Sequence, residues 1–238
     1  MNTSNFLLAL PAAVMLFGGV LATFWSPGKS LIAMVQHLAA GIILAAVTVE
    51  VFPAMQSAKV APALLIGSFT VGVLFMYAVK HLGERLEAGN SARSLEKRFN
   101  FGLIITVFID AALDGVTIGA GFAAGEKVGF ALAIGLSAEM LFLSMSLISD
   151  TISGARALWI SAGLSGAILV SAMLSYYLLS STPGTTIAIA LAFSCAALLY
   201  LVTEELLIEA HAHAQAEKPY FMLVLFAGFV GFWVISLL

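Results

Sequence analysis

Eight apolar runs, each near the roughly 20 residues that carry a helix across a bilayer, decide what this chain can fold into. They fall at about 5–25, 31–55, 61–81, 100–124, 127–149, 157–180, 185–209 and 219–238. Short breaks with turn chemistry separate them: Ser26-Pro27-Gly28, Ser57 to Pro62, Ser153-Gly154 and Thr182-Pro183-Gly184. The expected fold is an all-α integral membrane protein of eight transmembrane helices, with residues 1–238 forming one transmembrane domain. The one polar connection of any length, 82–98, carries mixed charges and Gly89-Asn90 and predicts a solvated, mobile loop. Composition agrees. Hydrophobic residues make up 61% and charged residues 10%, against about a quarter charged in soluble domains. A net charge of −3 gives no case for nucleic acid as a partner. The single Cys195 excludes an intramolecular disulfide and a cysteine-rich metal site. The first run lacks a basic leader and a clear small-residue cleavage site, so it is expected to be a retained helix.

Basic residues set the orientation. With the 82–98 loop in the cytoplasm, Lys29, Lys80, Arg85, Arg93, Lys97, Arg98, Arg156 and Lys218 face inward, and Lys59 and Lys127 face outward. Such an excess predicts both termini outside. The setting that fits is a multi-pass protein of a bacterial cytoplasmic membrane.

Three acids interrupt the fourth and fifth runs. Asp110 and Asp114 stand four apart and share a helix face. Glu139 lies at a matching depth in the next helix, about twelve residues in, and all three fall near the membrane centre at roughly 1.5 Å rise per residue. A carboxylate there costs at least ~2.5 kcal/mol, and no Lys or Arg lies at that depth to neutralise it. The acids must be protonated, bind a cation, or alternate between the two. Thr106 and Thr117 extend the polar stripe, which resembles the lining of a cation path. Glu50, three residues before Pro53, is a candidate outer contact. Glu205, Glu209 and His211 at the end of the seventh helix are candidates for an inner release site, or equally a solvated helix end. His37, with Gln36 before it, is more simply an interfacial residue. Ala111, Gly115 and Gly119, continued by Gly121 and Gly125, form a small-residue stripe suited to close helix packing.

A short internal repeat accompanies these residues. Val47-Thr48-Val49-Glu50 in the second helix corresponds to Val202-Thr203-Glu204-Glu205 in the seventh. The two helices run in opposite directions in the expected topology, as in transporters built from inverted repeats. Chance similarity between two apolar helices is the competing account.

The whole pattern resembles the ZIP (Zrt/Irt-like) family of divalent-metal transporters. His37-Leu38-Ala39-Ala40-Gly41-Ile42-Ile43-Leu44 followed by Glu50-Val51-Phe52-Pro53 is similar to that family's second helix. Asp110-Ala111-Ala112-Leu113-Asp114-Gly115 stands where the family has His-Asn-x-x-Asp/Glu-Gly, and Ala138-Glu139-Met140-Leu141-Phe142 where it has His-Glu-x-x-His. Tyr200 to His211 is similar to the seventh helix. The resemblance implies a 3+2+3 inverted-repeat bundle and uptake of a divalent metal cation into the cytoplasm through a carboxylate site on helices 4 and 5. Asp114 and Glu139 keep the family's ligand type, while Asp110 stands for a His and Ala111 for the Asn of a second metal site. Ala138 and Phe142 replace both His of the fifth helix. An oxygen-only set suits harder ions, so the expected cargo is Mn²⁺, Mg²⁺, Fe²⁺ or Zn²⁺ with the harder ions favoured. Expected partners are the bilayer and the cation, with a homodimer as a possible assembly.

Two other readings share the residues. The same fold could carry another solute with its acids as a proton relay, or be a non-transporting relative. An enzyme is not expected. An intramembrane aspartyl protease places its two Asp on separate helices, the second after Gly-x-Gly, whereas Asp110 and Asp114 share one helix. Membrane oxygenases need many His, and this chain has 4.

Overall fold

The computed structural model describes residues 3–25, 28–91, 101–150, 155–208, 210 and 220–237. It is all helical there. Helix α1 spans Thr3–Phe24. Helix α2 spans Lys29–Ala46 and runs on through a π-helical turn, Val47–Val51, into a last α-turn at Phe52–Ser57. Helices α3 to α6 span Pro62–Ser91, Phe101–Ala124, Glu126–Asp150 and Ala155–Ser180. Helix α7 spans Gly184–Leu201 and runs on through a second π-turn, Val202–Leu206. Helix α8 spans Tyr220–Leu237. All eight are long and apolar enough to cross a membrane, which makes this a multi-pass integral membrane protein.

One boundary differs from expectation. The loop expected over 82–98 begins as helix, because α3 continues to Ser91; residues 92–98 lie outside the described residues. Apart from Gly83, the segment from Leu82 to Ala88 is made of good helix formers. Contacts one turn apart support it. The rings of Tyr77 and His81 stack with centroids 6.0 Å apart, and His81 Nδ1 lies 3.7 Å from a Glu84 carboxylate oxygen. Mixed charge here marks a solvated helix end.

The two π-turns are bounded by the same hydrogen bonds. In α2 the Val47 N–H reaches the Ile43 and Leu44 carbonyls, and the Phe52 N–H reaches Val47 O. In α7 the Val202 N–H reaches Leu198 and Leu199, and the Leu207 N–H reaches Val202 O. The threonines match as well. Thr48 donates to Leu44 O at 2.8 Å and Ala45 O at 3.2 Å. Thr203 donates to Leu199 O at 2.8 Å and Tyr200 O at 3.2 Å. Each hydroxyl back-bonds to carbonyls one turn earlier, a pattern that bends helices. In α2, Pro53 adds a cause, since it has no N–H for the Val49 carbonyl.

Packing divides the helices. Helices α1, α4, α5 and α6 pack on one another, with α4 along α6, α1 along α5 and α6, and α4 against α5. Helix α2 packs along α8 and α3 along α7, and α2 meets α7 around the π-turns. Helix α5 touches the second set through α2, and α4 touches it through α7 and α3. Glycines permit the closest crossings. A Cβ on Gly115 or Gly119 would run into the Ile168 or Ala172 carbonyl of α6, so the small-residue stripe of α4 is a packing face. Likewise Gly41 of α2 sits on the Leu225 carbonyl while Gly228 of α8 sits on that of Leu38. Interhelical hydroxyls add to this: Ser175 donates to Val116 O at 2.8 Å and Ser68 to Ile189 O at 2.7 Å.

Among the spans, α5 is the most buried and α3 the least. The outer faces of α3, α6 and α8 expose Leu74, Val170, Leu223 and Phe226, as lipid-facing surfaces do. The central position of α5 brings its one mid-span acid, Glu139, into the core.

Candidate metal centre

Asp110 and Asp114 project from one face of α4, and Glu139 meets them from α5. Each offers a carboxylate oxygen, and these oxygens all lie within 4.8 Å of one another. The pairing follows from the antiparallel α4–α5 contact, in which Gly121 lies against Leu132 and Gly129. Seven residues back along α4 and seven on along α5 from Gly121 and Leu132 bring Asp114 level with Glu139. Asp114 and Glu139 are 5% and 3% exposed, and Asp110 is half-buried. Asp114 Oδ2 and Glu139 Oε2 have no hydrogen-bond partner among the described residues. Thr117, one turn beyond Asp114 on the same stripe, is also buried. Thr106 instead lies against Gly83 of α3.

The spacing suits a cation. Oxygens on opposite sides of Ca²⁺ at about 2.4 Å lie about 4.8 Å apart, and around Mg²⁺ at about 2.1 Å they lie about 4.2 Å apart. Two of the three oxygens could sit opposite one another on such an ion, with the third beside them after modest closure. The site is a buried, oxygen-only carboxylate triad that could bind a metal ion.

The remaining expected ligands divide. Glu205, half-buried in the π-turn of α7, lies within electrostatic range of all three acids. Glu50, at the same place in the π-turn of α2, is not brought to the triad. It lines a separate cavity of about 190 Å³ with Lys127, Phe130, Ala131 and Phe232. Those α5 residues precede Glu139 by eight to twelve positions, or about 12–18 Å along the helix. Glu209 and His211 lie outside the described residues for side-chain placement.

Two features escaped the reading of the sequence. Lys80 of α3 pairs with Glu204 of α7 at 2.7 Å, and its ammonium lies 5.9 Å from the Tyr200 ring centroid. This pair lines a cleft of about 320 Å³ with Tyr77, His81 and Glu84. Adjacent helical residues point about 100° apart, so Glu204 and Glu205 could never serve one site; that signal was in the sequence. The second is Gln36. It is fully buried, and neither end of its amide has a hydrogen-bond partner among the described residues. An unsatisfied buried polar group costs roughly 1–3 kcal/mol. Its neighbour His37 is also buried, but packs. His37 Nδ1 donates to Ala33 O at 2.7 Å, and the ring stacks on Phe221 at 5.6 Å.

No protein-family model matches the chain, and no curated protein matches it.

Proposed function

We propose that this protein is a ZIP-like carrier that moves a divalent cation across the membrane into the cytoplasm. The observation that carries the reading is the triad. Three carboxylates converge within 4.8 Å in a membrane core, and two of their oxygens are left without a hydrogen-bond partner among the described residues. A structural cluster of protonated acids would bond within itself. Intramembrane acids of this kind mark ion paths.

The inverted repeat belongs to the same reading. Supporting it is the bond-for-bond agreement of the π-turns at Val47–Val51 and Val202–Leu206. A second support is the pattern of neighbours. Exchanging α1 with α6, α2 with α7, α3 with α8 and α4 with α5 maps α1–α5 onto α6–α4, α2–α8 onto α7–α3, and α2–α5 onto α7–α4. Lys29, Lys80, Arg85 and Arg156 then lie at the cytoplasmic end with both termini outside. Asp110, Asp114 and Glu139 ride on the α1/α4/α5/α6 set, and transport is the rocking of that set against α2, α3, α7 and α8. Glu50 receives the ion outside and Glu205 faces it on the way in. Ala111 and Phe142 are buried apolar side chains where the ZIP pattern has ligands, which favours one ion of the harder kind.

The test is uptake of Mn²⁺, Mg²⁺, Fe²⁺ and Zn²⁺ into proteoliposomes, with metal content of the purified protein measured for the native chain and Asp114→Asn. Uptake and bound metal in the native protein, both lost in the variant, are expected. Proton movement without any metal uptake would replace this reading by the proton-relay one.

A further inference from the structure

Gln36 is a fully buried amide that the triad does not use, and its level in the bundle follows from the α2–α5 contact. Glu50 of α2 shares a cavity with Lys127 to Ala131 of α5. Seven residues earlier in α2, Ile43 lies against Gly135, with its Cγ1 3.3 Å from where a Cβ would stand. The two helices therefore run antiparallel in a steady register. Continuing it by seven residues on each puts Gln36 opposite Phe142. That is about one turn past Glu139, toward the end that carries Lys29. Seven residues are two turns, so Gln36 lies on the same face as Ile43. Ala40, Ile43 and Val47 continue that stripe, and all are buried in the core. The opposite face of α2 carries Leu38 and Gly41 and belongs to α8. Gln36 thus lies on the core-facing stripe of α2, at a level about one turn to the cytoplasmic side of Glu139.

We propose that Gln36 is the first ligand the cation meets on leaving Asp114 and Glu139 for the cytoplasm, its amide oxygen taking the place of a carboxylate. The inference rests on the carrier reading. Three observations make it specific. The amide is fully buried, and both its ends are unpartnered among the described residues, so no structural hydrogen bond there explains it. It stands on α2, in the helix set opposite the one that holds the acids, where a moving site would pass it. Its chemistry is that of an uncharged oxygen donor, which hard cations accept. A neutral ligand holds the ion less tightly than a carboxylate, and conduction needs a site weak enough to leave.

The experiment compares Gln36→Leu, Gln36→Met and Gln36→Glu with the native protein. Three quantities are read: Mn²⁺ affinity in detergent, Mn²⁺ uptake into proteoliposomes, and the thermal midpoint. For the Leu and Met variants, affinity within threefold of native and an equal or higher midpoint are expected, with uptake at least tenfold slower. Gln36→Glu, which keeps an oxygen at the same reach, should recover a substantial part of the uptake. Native uptake in Gln36→Leu, in a protein whose Asp114→Asn variant does not transport, overturns the role of Gln36 and leaves the carrier reading intact. Failure of both apolar variants to fold makes Gln36 structural and also overturns it. A native protein that neither binds nor moves a divalent ion overturns the carrier reading and this inference together.

Discussion

Replacing Asp114 by Asn and Glu139 by Gln separates a metal site from a structural acid cluster, because the two effects have opposite signs. Each change removes one charge at nearly constant shape. Two ionised carboxylates whose oxygens lie within 4.8 Å repel by at least about 3.5 kcal/mol at an effective dielectric near 20. Without an ion, either amide relieves whatever part of that repulsion is present, so the metal-free midpoint should hold or rise. With an ion, the sign reverses. Removing one partner from a buried charge pair costs roughly 3–5 kcal/mol, which lowers affinity more than a hundredfold at about 1.4 kcal/mol per tenfold. An ion at a hundred times its Kd stabilises the native fold by about 2.7 kcal/mol, several degrees in the midpoint, and this increment should vanish in both variants. The double variant should transport no worse than either single one, since ligands of one ion act as a unit. The assay is thermal unfolding with and without each divalent ion, alongside proteoliposome uptake. Near-native uptake in either single variant, or an ion-induced shift that survives it, would refute the shared site.

Four further outcomes follow from other parts of the molecule. Asp110→His with Ala138→His should move preference toward Zn²⁺, because imidazole favours borderline ions; a competition assay in which the native protein already strongly prefers Zn²⁺ over Mn²⁺ contradicts the oxygen-site argument. A tag at either terminus should be labelled from outside intact cells and one near Gly89 only after permeabilisation, and labelling of the Gly89 tag in intact cells reverses the orientation. Gly119→Leu should lower the thermal midpoint, since its side chain meets the Ala172 carbonyl and Ser175 on α6, and overpacking of this kind costs about 1–3 kcal/mol. By contrast, Lys80→Met with Glu204→Gln should shift the midpoint little, because the pair is 30% and 43% exposed and such pairs contribute at most about 1 kcal/mol.

The helices were legible because hydrocarbon imposes length and apolarity on every span, and turn residues mark most of the breaks. Helix α3 ran past its expected end because hydropathy reports the bilayer edge, not the helix end. Glu84, Arg85 and Glu87 leave the membrane without leaving the helix. The π-turns could not be read from periodicity, since one widened turn shifts the pattern by a single residue. Yet the shared Val-Thr-x-Glu segments stood out as letters, and in the structure each pair of Thr bonds falls on the same two carbonyl positions. A match of three residues in a stretch of four is weak alone. The same Val, Thr and Glu at the same places in the same rare turn of two helices are far harder to attribute to chance.

The site was legible where geometry within one helix decides it, and obscure where the angle between helices does. Asp110 and Asp114 follow from a spacing of four, and Glu139 from matched depth across a tight α4–α5 connection. Glu50 and Glu205 occupy matching places in their helices, yet one lines a cavity with Lys127 and the other lies within electrostatic range of the triad. No spacing along the chain distinguishes those two outcomes, because they depend on what α5 and α8 place against α2. Gln36 and His37 make the same point in two adjacent residues. About 100° of rotation turns His37 onto Phe221 of α8 and Gln36 into the core. The imidazole gives one nitrogen to its own helix and stacks on α8, while both ends of the plainer amide lack a hydrogen-bond partner among the described residues.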